Sequence, residues 1–340
     1  MNTTIYLVRH GITDLNKAIC YQGIIDMPLN AMGEAQGKHL SQRFKDTPID
    51  IAISSPLVRT KKTMKYILTH HPDVKVIYDD ELLEKDGGLT EEQPFLESDA
   101  FWPGYVEDFQ YAPSKWAHVG GESGEEAYER FQKAINRIAR ENAGKNIVVA
   151  SHGFVILTFI NYAKGRSKDD MIHESIGNVS VSKFTFDDDF NMHMDYFGDD
   201  THLPAHLHHH HDDPNLFLPK PIIIGDSKNK SCRKGKSLLS KLGFTTIDRD
   251  LSARPLRIEE LTILMDRYNG EPSAFFNTGS SKYKSLHLKD RAKSMDQSEI
   301  IDLLIRDNKL VKRPILMWNG QVALGFDEKI WKAMVLANKQ

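Results

Sequence analysis

The chain has 340 residues, 40% hydrophobic and 27% charged, with a net charge of −3, the profile of an ordinary soluble globular protein. The charge gives no electrostatic reason to expect nucleic acid as a partner, and no apolar run of about 18 residues suggests a membrane span. The start MNTTIYLVRHG lacks the basic-then-apolar pattern of a secretory leader, and two cysteines, Cys20 and Cys232, cannot build a disulfide framework, so a cytoplasmic location is expected.

Single cores stop growing near roughly 250–300 residues, so two domains are expected. Thr4–Val8 is β-branched and apolar and predicts a buried strand, ending at the polar turn Arg9-His10-Gly11. Asn30 can cap a helix running to Phe44. A strand is expected at Ile49–Ile53, followed by a helix start at Ser54-Ser55-Pro56. Val74–Tyr78 reads as a third strand, and Lys85 to Gly121, rich in Gly, Pro, Trp and Phe, as irregular. Ser123 and Glu126 have capping-box spacing and open a helix to about Asn142. Ile147–Ala150 is a strand ending at Ser151-His152-Gly153, with a helix after it; Val179–Phe186 and Asn191–Phe197 suggest a closing hairpin. Strands alternating with helices imply a three-layer α/β/α domain over residues 1–203.

Residues 204–219, with three prolines and the run His208–His211, read as a linker. The histidines are alternatively a zinc or nickel site. From 220 to 340 a second, smaller α/β domain is expected. Its strands are placed at Ile222–Ile224, Phe244–Ile247, Pro314–Trp318 and Gln321–Leu324. Its helices are placed at Cys232–Leu242, Pro255–Tyr268, Ser280–Leu286, Gln297–Asn308 and from Asp327, and Asn319-Gly320 predicts a hairpin turn.

Both polar turns, Arg9-His10-Gly11 and Ser151-His152-Gly153, directly follow strands. Ligands of parallel α/β sheets bind at the carboxyl ends of strands, so His10 and His152 can share one site. The residue types there suit phosphoryl transfer, which needs a nucleophile, donors for the non-bridging oxygens and an acid for the leaving oxygen. His10 is the candidate nucleophile, with Gly11 allowing close approach. Arg9 and Arg59 are donor forks, His152 and Asn16 further donors, and Glu84 the candidate acid.

Leu7-Val8-Arg9-His10-Gly11-Ile12-Thr13-Asp14-Leu15-Asn16 resembles the signature of the histidine phosphatase (phosphoglycerate mutase-like) superfamily. The likeness continues in order through Gln22-Gly23, Asp26-Met27-Pro28-Leu29, Ser54 to Thr60, Glu84, Gly121-Glu122-Ser123, Ser151-His152-Gly153 and Asp200 to Leu203. The resemblance implies that His10 becomes phosphohistidine and that Arg9, Arg59 and His152 bind the phosphoryl oxygens with help from Asn16. It also implies that Gln22 and Gly23 border the pocket, that Glu84 is the proton donor, and that no metal or cofactor takes part. Members often continue after the acid with an aromatic-Gly-x-x-Glu-Gly stretch, whereas this chain reads Lys85-Asp86-Gly87-Gly88-Leu89-Thr90-Glu91-Glu92. Mutases of the family resemble one another in Asn-Glu-Arg at the acid and His-Gly-Asn after the second histidine. This chain has Leu83-Glu84-Lys85 and His152-Gly153-Phe154, and Phe95–Trp116 lacks paired arginines. A phosphatase of small phosphorylated metabolites is therefore favoured over a phosphoglycerate mutase-type phosphotransferase. Phe101, Trp102, Tyr105, Phe109, Tyr111 and Trp116 either wall a substrate pocket or pack the long loop.

Ile222–Val335 resembles the arsenate reductase/Spx family, which implies a thioredoxin-like fold with a helical insertion and a cis peptide before Pro314. The matching residues are Ser231-Cys232-Arg233-Lys234, Leu238–Phe244, Arg254-Pro255-Leu256 and Lys312-Arg313-Pro314-Ile315. Asn229 stands where the family's reactive cysteine opens its motif, and Gly279 where an arginine is expected near Asn277-Thr278. Arsenate reduction is therefore not expected. Cys232, at a helix N-terminus beside Arg233 and Lys234, is a candidate redox thiol of lowered pKa; its alternative is a structural cysteine. The domain reads as a regulatory or binding module with a protein partner. A second whole-protein reading is a regulatory protein whose pocket senses a phosphorylated ligand without hydrolysing it.

Overall fold

The computed structural model describes residues 2–170, 175–209 and 220–337. The chain divides into two compact units. The first comprises Met1–Phe95 and Gly104–Leu216, the second Leu96–Pro103 and Phe217–Gln340. The sequence reading does not anticipate that residues 96–103 belong with the second unit. Among the described residues no helix is long and apolar enough to cross a membrane.

The first unit is built on a six-stranded mixed sheet. Its strands are β1 (Thr3–Arg9), β2 (Ile51–Ser54), β3 (Val76–Tyr78), β4 (Asn146–Ser151), β5 (Val181–Phe186) and β6 (Met192–Asp199), in the order β3-β2-β4-β1-β5-β6. β1 to β4 are parallel neighbours; β5 and β6 pair antiparallel at one edge. The apolar runs of β1 and β4 are buried because helices cover both faces of the sheet. The register Arg9↔Ser151 aligns the ends of these two neighbours, so the next residues, His10 and His152, leave the sheet side by side.

Local signals hold where the cap lies next to its helix. Asn30 caps Ala31–Phe44 through Gly33 N–H, and Ser123 forms a complete capping box for Gly124–Glu141. Three expectations need correction. The helix after Ser54-Ser55-Pro56 begins only at Val58, because its amide is capped from a distance by Asp26 Oδ1 at 2.5 Å. The stretch 85–121 is not irregular. It holds a 3₁₀ turn at Gly88–Thr90 and helices at Phe95–Phe101 and Tyr105–Tyr111, which Pro94 and Pro103-Gly104 punctuate. The start of the presumed linker is packed: Ala205–Leu207 is a 3₁₀ turn, Leu207 is buried, and its carbonyl accepts from Gln36 Nε2. His208 bonds Asp200 through Nδ1 at 3.2 Å, and among the described residues no cluster of metal-ligating side chains forms. His210 and His211 lie outside the described residues.

The second unit has strands β7 (Ile222–Gly225), β8 (Ile247–Asp250), β9 (Ile315–Trp318) and β10 (Gln321–Leu324) in the order β10-β9-β7-β8. β8 starts at Ile247, not Phe244. Phe244 N–H instead closes the preceding helix onto Leu239 O, after Gly243 in the left-handed region at φ 84°. Asn319 and Gly320 turn the hairpin with φ of 45° and 71°, as a type I′ turn requires. The Arg313–Pro314 peptide is cis.

Candidate active site

His10 lies just past β1 and is buried. Its Nδ1 faces Gly11 O at 2.8 Å, which makes Nδ1 the protonated nitrogen and leaves the Nε2 lone pair for attack. Burial, and then the positive Arg59 and Arg9, hold its pKa well below the usual histidine range. The ring is thus neutral, the state a nucleophile needs. The His10 main chain is fixed as well: Asn178 Nδ2 donates to His10 O at 3.0 Å, and Thr63 Oγ1 accepts from Gly11 N–H at 3.0 Å. Gly11 is also required by packing. A Cβ there would press on Gly33 O at 3.1 Å and Leu29 at 3.2 Å, so its smallness lets the helix from Ala31 approach.

His152, at the end of β4, stands with its ring centroid 5.3 Å from that of His10. Arg59 Nε donates to His152 Nδ1 at 3.2 Å, which puts the ring proton on Nε2, 2.8 Å from Ser55 Oγ. Arg59 is otherwise pinned by backbone carbonyls, with Nη1 on Ile25 O at 2.7 Å and Nη2 on Gly23 O at 2.6 Å. Arg9 Nη1 donates to Ile176 O at 2.6 Å, while its buried Nε has no partner among the described residues. Burial lowers both guanidinium groups to about 10, so both stay charged at neutral pH. Two buried cations bonded mainly to neutral groups form a field that calls for an anion.

Glu84 is the carboxylate nearest this field in its electrostatic influence on both arginines. It accepts from its neighbour Lys85 N–H and from Phe154 and Val155 N–H, at 3.0, 3.0 and 3.2 Å. The last two are free amides of the first turn of the helix Gly153–Ala163. Burial nevertheless dominates and raises its pKa, as a proton donor requires. Gln22, with its amide oxygen toward Arg59, accepts from Nη1 at 3.0 Å and donates to Thr13 Oγ1 at 2.5 Å. Asn16 sits in the capping box of the short helix Asp14–Lys17, its Oδ1 3.2 Å from Thr13 N and 3.4 Å from Asn178 Nδ2. Gly23 is required by crowding: a Cβ would lie 2.5 Å from Lys85 O.

The altered stretch after Glu84 is tied down by its own contacts. Glu91 receives the amides of Ile24 and Ile25, each at 2.7 Å. Gly88 and Glu92 occupy left-handed conformations, φ 48° and 63°. The space beside Gly87 is filled by Tyr21, whose ring a Cβ there would meet at 2.4 Å.

Residues 5–196 match the histidine phosphatase superfamily (branch 1). The chain belongs to that superfamily. Residues 218–334 match the ArsC family, so a histidine phosphatase domain with a phosphoglycerate mutase-like mixed sheet is followed by a thioredoxin-like ArsC domain. The chain is 26% identical over 202 residues to the uncharacterized phosphatase PhoE of Bacillus subtilis, covering 57% of this chain and 98% of that protein. It is 31% identical over 204 residues to phosphoglycerate mutase-like protein 4 of Arabidopsis thaliana, covering 58% and 86%. The solved structure of Bacillus stearothermophilus YhfR superposes with a TM-score of 0.56 at 25% identity, covering 59% of this chain and 98% of that one.

Within the histidine phosphatase domain, sequence reasoning missed Asn178, Ser55, Thr63 and Lys85. Asn178 and Ser55 each bond one of the histidines and Thr63 bonds the Gly11 amide, and of these only Ser55 lies in a stretch the sequence singled out. Lys85 is fully buried, and its Nζ lies 4.4 Å from the Trp116 ring centroid with no hydrogen-bond partner among the described residues. Burial lowers it to about 7. The six aromatic residues divide. Tyr105, Phe109 and Trp116 pack with Tyr21, Phe95 and Phe154, Tyr111 is exposed, and Phe101 and Trp102 belong to the core of the second unit.

In the ArsC domain, Asn229 is the helix cap, accepting from Ser231 and Cys232 N–H at 2.8 and 3.2 Å. The lowered thiol pKa expected of Cys232 is overturned. Its Sγ is packed against Gly225, and burial outweighs the helix terminus and pushes the thiol up.

Proposed function

We propose that the protein hydrolyses small phosphate monoesters through a phosphohistidine at His10. The observation that carries this reading is the convergence of a neutral, oriented His10 with His152, Arg59, Arg9 and a protonatable Glu84 at the ends of two adjacent strands. His10 Nε2 attacks phosphorus. Arg9, Arg59 and His152, with Asn16, hold the non-bridging oxygens, and for His152 this means exchanging its bond to Ser55 for one to phosphate. Gln22 and Gly23 border the pocket and hold Arg59. Glu84 protonates the leaving alcohol and then accepts a proton from the water that hydrolyses the phosphohistidine. Binding of phosphorylated small molecules is the coarser property of the superfamily; hydrolysis is favoured over transfer to a second phosphate acceptor because Phe95–Trp116 contains no arginine to hold a carboxylate.

Rapid quenching with a ³²P-labelled aryl phosphate tests the reading. The wild type is expected to show turnover and an acid-labile phosphoenzyme, and His10→Ala neither. Unchanged turnover in His10→Ala sinks the mechanism. Ligand binding without turnover in the wild type favours the sensing role.

A further inference from the structure

The second unit is not made from the C-terminal sequence alone. Its core contains Phe101, fully buried among residues such as Leu256, Leu261 and Phe275. Beside it lies a charge cluster whose centre, Arg249 with Glu97 and Glu260, is closed to solvent. Arg249 Nη1 donates to Glu97 Oε1 at 2.8 Å, and the same guanidinium holds both oxygens of Glu260. Arg254 Nη2 takes the other Glu97 oxygen at 2.7 Å. The Glu97 and Arg249 side chains are 0% and 1% exposed. Arg267 then binds the carbonyls of Ala100 and Phe101, at the end of the same short helix, where an α-helix leaves acceptors unfilled. Two carboxylates balance two guanidinium groups only when Glu97 is counted. Without residues 96–103 Arg249 would keep only Glu260, the half-buried Arg254 would lose its carboxylate, and the core would have an open position, which together are destabilising.

The segment is continuous on both sides with the aromatic wall of the phosphatase domain. Phe95 precedes it and Tyr105 follows one residue after Gly104, and their rings lie 5.9 Å apart. Both contact Trp116, which in turn packs against Phe154 at 4.9 Å, and Phe154 N–H is a donor to the acid Glu84. We propose that the ArsC-like unit works as a clamp for the phosphatase: by building Leu96–Pro103 into its own core, it sets the position of the aromatic wall beside the acid. Glu97 and Phe101 are then positioning residues, and the loss of the family cysteine at position 229 is no loss to this role.

The test uses the full-length chain with Glu97→Gln, which keeps the shape and removes the charge. The expected result is a rise in KM for p-nitrophenyl phosphate of about fivefold or more with kcat within about twofold. Inhibition by orthovanadate, which reads only the phosphate pocket, is unchanged. Amide exchange at Tyr105–Tyr111 accelerates about tenfold, as local loosening allows, while exchange at Asn146–Ser151 is unaltered, and Glu97→Asp partly restores the wild-type values. The proposal is overturned if exchange at Ile247–Asp250 accelerates while Tyr105–Tyr111 and KM stay at wild-type values, or if orthovanadate binding is lost together with KM. Should Glu97→Gln not accumulate as folded protein, Phe101→Leu carries the same readouts. The exchange and vanadate arms stand even if no ester is turned over, so failure of the clamp is distinguishable from failure of the hydrolytic reading.

Discussion

Each of the two units buries charged side chains completely, and they handle the burden in opposite ways. In the second unit Arg249 is answered by Glu97 and Glu260, charge against charge. In the first, Arg59 is held by two backbone carbonyls, a histidine nitrogen and the Gln22 amide, and Arg9 by one carbonyl. Neutral partners fix the geometry of a cation without cancelling its charge, and the remaining field is available to a phosphoryl group. Ion partners cancel it, and what remains is structure. The same residue type is therefore left open to an anion in one unit and neutralised as architecture in the other.

Removing charges one at a time tests that contrast. The largest effect is expected from His10→Ala, which lowers kcat by about 10³-fold or more with little change in melting temperature; steady-state assay and calorimetry check both. Glu97→Ala should do the reverse at first order. Breaking one partner of a buried ion cluster costs about 3–5 kcal/mol, visible in denaturant unfolding, while His10 stays competent to form phosphoenzyme. If Glu97→Ala is as stable as wild type, the reading of the second unit as charge-balanced is wrong.

Glu84→Gln should lower kcat/KM by about 10²-fold or more and abolish the basic limb of the pH profile. The sign follows from the direction of the shift. Burial raises the Glu84 pKa, so the acid form persists above the usual carboxylate range, and activity falls only as pH passes through the raised value. The acid limb lies below the usual histidine range, because His10 is held neutral.

Lys85→Met should have a smaller effect, on stability. The folded pKa of Lys85 is lowered to about 7 from 10.5. Between these values the unfolded chain binds the extra proton, so stability rises with pH in the wild type. Lys85→Met should be more stable near pH 7 and flatten that rise, as chemical denaturation across the window would show; an unchanged slope would mean that the amine stays charged. Cys232→Ser is expected to change turnover least, within about twofold, since the buried thiol has a raised pKa. A large loss of turnover in Cys232→Ser would return the second unit to redox chemistry.

Much of the site was legible because each motif carries its own local physics. A β-branched run that stops at Arg-His-Gly announces a strand end, and Asn30 and Ser123 announce helices because a side-chain cap needs only three residues of chain. The Nδ1 partner of His10 is equally local, the next carbonyl along. Legibility failed where the partner is remote. The cap of the Val58 helix is Asp26, and the brace of His10 is Asn178. The segment 85–121 looked irregular because its helices are short and separated by Pro and Gly, with apolar residues that serve two different cores.

By itself the sequence determined the strand-and-turn pattern, the chemical types gathered at the candidate site and the absence of a cysteine at position 229. Those depend on neighbours a few bonds apart. Only the tertiary structure decided that Cys232 is a buried thiol of raised pKa, that Glu84 is a buried carboxyl of raised pKa, and that Glu97 and Phe101 belong to the unit encoded more than a hundred residues downstream. Desolvation and charge pairing depend on what surrounds a group in space, and no local pattern of residues specifies that.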